Sequence, residues 1–165
     1  MGQIVETTCR SGIFDRSIVG TITPMVTVQV ERDRIRFFAK TLGIADPVHQ
    51  DLGAARAAGY PDLLAPPSYV MAIEALAEAE RARRGFASWQ KLLRCDMRYL
   101  LHGSEGYTYY SPIFAGDEVE FTTEFVGFQD KKGGALELAD ICLHVVHPER
   151  GPLVSARRSL IHRLG

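Results

Sequence analysis

The sequence predicts an α+β fold in which an antiparallel five-stranded sheet wraps around one long central helix. Two observations predict it. An Ala-rich run near the middle of the chain has helical periodicity, and four strand-like segments follow it without a further long helix. A chain of 165 residues is long enough to bury one core. We therefore expect a single domain over residues 1–165, with residues 1–20 as an N-terminal arm.

The central helix is predicted over residues 68–84. Pro66 and Pro67 suit the start of a helix, Ser68 is a candidate N-cap, and Gly85 ends it. Apolar residues at helical spacing share one side, whereas charged residues collect near the C-terminus: Tyr69, Ile73, Leu76 and Ala77, then Glu78, Glu80, Arg81, Arg83 and Arg84. We expect the first turns to be buried and the last turns to be solvated. The helix N-terminus is then the sheltered, electropositive end, which favours a polarised ligand group.

The other elements follow from local patterns. Before the central helix, valines alternate with polar residues from Val26 to Val30, a helical pattern covers residues 33–42, and Asp51 can cap a short Ala-rich helix. After it we expect a connector at 86–97 and strands at 100–110, interrupted by Gly103 and Gly106, and at 119–125, 135–146 and 153–162. Residues 135–146 are apolar on both faces, which indicates a central strand or one in contact with a second subunit. A five-stranded sheet folded around one helix is the hotdog architecture.

Composition excludes several functional classes. The formal net charge is −1 and the pI is about 6.5, so we expect no nucleic-acid partner. Three widely spaced cysteines indicate neither a disulfide framework nor a metal site, and His144, His147 and His162 lack ligand-like spacing. No apolar run approaches the roughly 18 residues that cross a bilayer. We expect a cytoplasmic protein with no membrane partner.

The loop at residues 43–51 reads Gly-Ile-Ala-Asp-Pro-Val-His-Gln-Asp. It resembles the MaoC-like family of (R)-specific enoyl-thioester hydratases and 3-hydroxyacyl dehydratases, whose motif is Gly-Asp-x-Asn-Pro-x-His-x-Asp followed by an Ala. Gly43, Pro47, His49, Asp51 and Ala55 occupy matching positions. The resemblance continues at residues 38–40, 55–60, 64–67 and 111–117, spans roughly residues 17–163, and is closest to the N-terminal, FAS1-like dehydratase type.

This resemblance implies an acid/base pair acting on an acyl thioester and a dipole that stabilises the enolate oxygen. His49 fills one role of the pair. Ile44 stands at the family's Asp position, so Asp46 is the candidate substitute. The family takes its oxyanion donor from a backbone N–H at the helix start, where this chain has Pro67, which has no N–H. Ser68 is the candidate replacement, and the resemblance places the thioester against Ala65, Pro67, Ser68 and Tyr69.

Each candidate also has a structural explanation. Asp46 before Pro47 suits a turn, Asp51 and Ser68 suit helix caps, and His49 can be a surface or supporting residue. The tyrosines at 107, 109 and 110 suit sheet packing, and the arginines at 81, 83 and 84 suit a solvated helix end, with contact to coenzyme A phosphates as the alternative.

Three functions remain open. The first is an enzyme, a hydro-lyase that hydrates 2-enoyl thioesters or dehydrates 3-hydroxyacyl thioesters of coenzyme A or acyl-carrier protein. The second is a non-catalytic acyl-binding hotdog subunit that partners a catalytic hydratase. The third is an acyl-CoA thioesterase using Glu74 on the central helix. The first two imply a homodimer or a heterodimer with a second hotdog, and no cofactor beyond the coenzyme A or phosphopantetheine carried by the substrate.

Overall fold

The computed structural model describes residues 13–163. Within these residues, one strand, four α-helices and then four strands follow in the order β1 (Val26–Gln29), α1 (Arg32–Thr41), α2 (Leu52–Ala57), α3 (Val70–Arg83), α4 (Trp89–Leu93), β2 (Leu100–Tyr109), β3 (Glu118–Lys131), β4 (Leu136–His147) and β5 (Gly151–Arg163). The predicted α+β class and the five-stranded sheet around a long helix are confirmed. The helix α4 within the predicted connector was not expected from the sequence.

The sheet is antiparallel throughout, with the strand order β1-β3-β4-β5-β2. The prediction that residues 135–146 form a central strand is confirmed, because β4 pairs with β3 on one side and with β5 on the other. A second subunit therefore cannot extend the sheet at β4. The two outer strands are β1, with four residues, and β2, with ten.

Helix α3 packs against one face of the sheet and contributes to the main apolar core. Ile73 and Ala77 are fully buried, in the same apolar cluster as Phe121 on β3 and Leu143 on β4. The predicted buried side of the helix is thus confirmed. Burying side chains of this size stabilises the fold by about 1.5–3 kcal/mol each.

Two expectations about this helix are wrong. The chain enters it through a 3-10 turn, Pro67–Tyr69, and no side chain caps either the turn or α3, so the exposed Ser68 is not an N-cap. Arg81 is completely buried rather than solvated. Its guanidinium donates to the Thr23 hydroxyl at 2.6 Å and pairs with Glu78, because the end of α3 lies under the chain that leads into β1.

Strand β2 is continuous, contrary to the predicted interruption at Gly103 and Gly106. The register shifts between His102 and Ser104, so Gly103 forms a bulge. A Cβ at Gly103 would lie 2.8 Å from the Ile161 side chain on β5. The glycine therefore lets the neighbouring strand approach closely instead of ending β2.

A buried carboxylate accepts several of the hydrogen bonds that hold the described part of the N-terminal arm on the sheet. Glu137 on β4 is fully buried and accepts hydrogen bonds from the backbone N–H groups of Ile13 and Phe14, at 2.8 and 3.1 Å, and from Arg16 Nε at 2.9 Å. Residues 1–12 of the predicted arm lie outside the described residues.

Candidate active site

The start of the central helix borders a small apolar pocket, as the sequence led us to expect. Its volume is about 340 Å³. We call it the helix-start pocket and define it by its lining residues: Leu64, Ala65, Pro66, Pro67, Tyr109, Tyr110, Ser111, Pro112, Ile113 and Val154. Of the predicted substrate-binding residues, Ala65 and Pro67 line this pocket.

The opposite wall of the helix-start pocket was missed by the sequence analysis. It is formed by the C-terminal end of β2 and the segment after it. Tyr109 and Tyr110 are exposed, at 49% and 59%, and the Tyr109 hydroxyl donates to the carbonyl of Pro67 at 3.1 Å. The signal in the sequence was the run of tyrosines just before Ser111-Pro112.

His49 is not among the residues that line this pocket, but its ring is fixed in position. It is in the 3-10 turn Pro47–His49, is 7% exposed, and its Nδ1 is 2.6 Å from the carbonyl oxygen of Leu64. A carbonyl only accepts, so Nδ1 of the neutral ring carries the proton and Nε2 is the basic nitrogen. The N–H of Leu64 in turn donates to the carbonyl of Val48 at 3.1 Å. Two hydrogen bonds therefore join the loop that carries His49 to the segment just before α3.

The carboxylate proposed to assist His49 is occupied elsewhere. Asp46 is exposed and caps the 3-10 turn, with Oδ1 accepting from the N–H of Val48 at 3.1 Å. Ile44 is half-buried and its carbonyl accepts from Gln50 Nε2 at 2.6 Å. Within residues 13–163, the recorded hydrogen bond of the His49 ring is the one to Leu64, and no carboxylate pairs with it. His49 and Asp46 are therefore close in sequence, but within the described residues their side chains hydrogen-bond to different backbone groups and not to each other.

The two remaining predicted substrate-binding residues, Ser68 and Tyr69, lie on different sides of the helix start. Because Pro66 and Pro67 have no N–H, the N–H of Ser68 is the first that the helix can offer to a ligand. Tyr69 points away from the helix-start pocket. Its ring meets Phe38 edge-on at 5.3 Å, and it lines a separate groove of about 600 Å³ between α1 and α3.

The prediction that Asp51 is a helix cap is confirmed. Its carboxylate accepts a hydrogen bond from the N–H of Ala54 at 2.7 Å and caps α2.

A second groove runs along α3 beside β2, and a buried charge cluster forms part of it. Arg158 on β5 is 3% exposed and binds both oxygens of Glu74 at 2.9 Å, and it binds Glu105 on β2 at 2.6 Å. We call these three residues the Glu-Arg-Glu cluster. The groove has a volume of about 330 Å³ and is lined by Met71, Glu74, Ala75, Glu78, Trp89, Gln90, Met97, Leu100, His102 and Arg158. Arg158 therefore holds the carboxylate that a thioesterase on this scaffold would use.

The surroundings shift the pKa of three side chains near this groove. Burial alone would lower the pKa of Arg158, but Glu74 and Glu105 raise it above its usual value, so the guanidinium stays charged. Burial, and then a hydrogen bond to Glu105, raise the pKa of Tyr107 to about 12. Burial also raises the pKa of Glu78, against the opposing effect of Arg81.

Between residues 13 and 163, no group of three or more His, Cys, Asp or Glu side chains is arranged to hold a metal ion. None of the helices in this stretch is long and apolar enough to cross a membrane.

Comparison with other proteins places the chain in a family. A family model described as FAS1-like, dehydratase domain region matches residues 17–155. A UPF0336 protein of Streptomyces griseus subsp. griseus is 34% identical over 142 residues, covering 86% of this chain and 89% of that protein.

Solved structures share the fold at lower identity. The C-terminally truncated HadBC (3R-hydroxyacyl-ACP dehydratase) complex of Mycobacterium tuberculosis matches with a TM-score of 0.69 and 18% identity, covering 87% of this chain and 96% of that one. A MaoC-like dehydratase of Rhodospirillum rubrum matches with a TM-score of 0.66 and 18% identity, covering 93% and 99%. The solved structures show that the chain shares their fold. The family model, which matches well over half of the chain, shows that the chain belongs to the family described as FAS1-like, dehydratase domain region.

Proposed function

We propose that this chain is the acyl-binding subunit of a two-subunit (3R)-hydroxyacyl-thioester dehydratase or enoyl-thioester hydratase, in which a second hotdog chain supplies the acid/base pair. One observation carries the proposal. Asp46, the nearest candidate for the missing acid, is exposed and caps a turn, while Ile44 occupies the position that the family's motif gives to Asp.

The scaffold for binding a thioester is nevertheless present. The helix-start pocket is largely apolar, lies at the electropositive end of α3 and is bounded by two exposed tyrosines. The likeness to the HadBC complex supports a partner subunit, since that protein is described as a complex that acts as a 3R-hydroxyacyl-ACP dehydratase. In this proposal, coenzyme A or phosphopantetheine is part of the substrate, and no separate cofactor takes part.

A second candidate is hydration by this chain alone, with His49 as the acid/base. It is favoured by the fixed ring, whose Nδ1–H is held by Leu64 and whose Nε2 is the basic nitrogen. The thioesterase is not proposed, because Arg158 holds both oxygens of Glu74.

Hydration of crotonyl-CoA, followed by the loss of enoyl absorbance, separates these candidates. We expect no measurable turnover by the folded chain alone, and turnover by its complex with a hotdog subunit that retains both Asp and His of the family's motif. In that complex, His49→Ala should change kcat by less than about threefold, whereas removing the partner's histidine should cost at least about 10²-fold. Turnover by the chain alone that His49→Ala abolishes would contradict the proposal.

A gain-of-function variant tests the same proposal by restoring the missing carboxylate. Ile44→Asp returns a carboxylate to the motif position, so we expect it to give the chain alone a measurable hydratase activity that depends on His49. Asp46→Asn in the Ile44→Asp chain is the matched control. It should leave the hydratase activity of Ile44→Asp unchanged because Asp46 acts as a cap.

A further inference from the structure

Two cavities follow one another along the line of contact between α3 and β2. The helix-start pocket has Pro67 on one wall and Tyr109 on the other, and the groove of about 330 Å³ has Met71 on one wall and His102 on the other. Pro67 contacts Tyr109, and Met71 contacts Tyr107. Residue numbers therefore rise along α3 as they fall along β2, and both elements place the two cavities in the same order.

Two tyrosines of β2 lie between these cavities. Tyr107 and Tyr109 are two positions apart, so their side chains are on the same face of the strand, and their rings stack with centroids 6.0 Å apart. The Tyr109 hydroxyl donates to the carbonyl of Pro67 at 3.1 Å, and the Tyr107 hydroxyl donates to the sulfur of Met71 at 3.2 Å. Each ring therefore spans from β2 to the start of α3. We call Tyr107 and Tyr109 the tyrosine pair.

Apolar surface continues on the far side of the tyrosine pair. Ala75, Trp89 and Leu100 line the groove there. Glu74 also lines it, but Arg158 binds both oxygens of this carboxylate at 2.9 Å and balances its charge. An acyl chain that passed the tyrosine pair would bury further methylenes in this groove, which favours binding.

We propose that the tyrosine pair limits the substrate to short acyl chains, butyryl rather than dodecanoyl, by closing the helix-start pocket toward the groove. This inference rests on the proposed function, which makes an acyl thioester the ligand of the pocket. The pocket volume of about 340 Å³ is near the lower end of the range of about 300–1,000 Å³ that is typical of ligand pockets. Tyr107 and Tyr109 are thus specificity-determining residues, and loss of their rings joins the two cavities.

The test is the binding of saturated acyl-CoAs to the full chain, measured by titration calorimetry. In the unmodified chain, affinity should rise about fourfold per methylene from acetyl-CoA to butyryl-CoA and should rise no further between hexanoyl-CoA and dodecanoyl-CoA. Tyr109→Ala should raise the ratio of dodecanoyl-CoA affinity to butyryl-CoA affinity at least about tenfold, the gain from about two more buried methylenes. Tyr109→Phe, which keeps the ring, should raise this ratio less.

A fluorescence measurement shows where the long chain goes. Trp89 is the sole tryptophan of the sequence and lines the groove, so its emission reports a ligand that arrives there. Dodecanoyl-CoA with bromine on its terminal carbon should quench Trp89 in Tyr107→Ala and in Tyr109→Ala, but not in the unmodified chain. Tyr99→Ala is the matched control, because Tyr99 is exposed and lines neither cavity, and it should behave like the unmodified chain.

The outcomes separate this inference from the proposed function. An affinity that keeps rising to dodecanoyl-CoA in the unmodified chain, or a Tyr109→Ala variant with an unchanged ratio, would overturn the chain-length limit and leave the proposed function standing. Binding of no acyl-CoA at all would overturn the proposed function, and the limit with it. Tyr107 packs against the core, so circular dichroism must show that Tyr107→Ala is folded, whereas the half-exposed Tyr109 decides the test by itself.

Discussion

At the scale of single residues, the buried arginine of the Glu-Arg-Glu cluster has the largest predictable effect. Arg158→Met removes the cation but leaves Glu74 with both oxygens buried against an apolar side chain. Leaving a buried charge unpaired costs about 3–5 kcal/mol. We expect the free energy of unfolding, measured by urea denaturation near pH 7, to fall by that amount.

The neighbouring arginine provides the control for this prediction. Arg157 is exposed and faces the opposite side of β5, because successive side chains alternate across a strand. Arg157→Met should change the free energy of unfolding by less than about 0.5 kcal/mol. Similar losses in both variants would show that the cluster does not bear on stability.

His49 shows what a single sequence position could and could not predict about the site. Its motif position predicted a functional role, and the structure adds that the ring is buried and oriented by Leu64. Within the described residues no carboxylate pairs with the His49 ring, because the carboxylate of Asp46 caps the 3-10 turn by accepting a hydrogen bond from Val48, two residues away. A turn preference was therefore enough to predict the behaviour of Asp46.

At the scale of elements, the C-terminal end of α3 has a charge arrangement that makes a pH prediction possible. The side chain of Glu80 pairs with Arg83 and Arg84 at 2.7 and 2.6 Å. Hydrogen bonds to these two arginines lower the pKa of Glu80 from 4.5 to about 2. Because the folded-state pKa is depressed, the stabilisation is complete above pH 4.5 and is lost as the pH falls toward 2.

Glu80→Gln tests this behaviour. We expect the variant to have a lower Tm than the unmodified chain at pH 7, and the difference should disappear near pH 2. The measurement is thermal unfolding by circular dichroism across that range. Glu118→Gln, at an exposed position on β3, should show a smaller difference at pH 7, and a Tm gap for Glu80→Gln that persisted at pH 2 would argue against the pairing.

At the scale of the whole molecule, one buried residue accepts three of the hydrogen bonds that join the N-terminal arm to the sheet. Glu137 joins the segment at residues 13–16 to β4 across more than 120 positions of sequence. Glu137→Gln removes the charge that these three donors share. Because hydrogen bonds to charged groups contribute about 1.5–3 kcal/mol each, we expect a loss of about 2–4 kcal/mol.

The accompanying measurement is amide hydrogen exchange. Residues 13–20 should exchange faster in Glu137→Gln, whereas β4 and β5 should keep their protection, because the arm opens locally. Asp130→Asn removes the exposed partner of Arg16 and should produce a much smaller change. Equal protection of the arm in both variants would contradict the importance of Glu137.

Much of the fold and part of the candidate site could be predicted from the sequence. The buried side of α3, the five strands, the Asp51 cap and the loop that carries His49 follow from contacts between residues a few positions apart, and periodicity and capping report such contacts directly. The helix start, which the sequence predicted to be sheltered, lies beside a pocket that Ala65 and Pro67 help to line.

Tertiary structure alone decided which charged and aromatic side chains meet. Arg158 finds Glu74 and Glu105 at separations of 84 and 53 residues, Arg81 finds Thr23 at 58, and Tyr109 reaches Pro67 at 42. No local pattern distinguishes these residues from solvated ones, because their burial depends on where distant strands bring their backbones. The sequence by itself determined the resemblance to the family, most of the elements and the missing acid of the motif, whereas the folded chain determined the pocket's second wall and the contacts of Arg158 with Glu74 and Glu105.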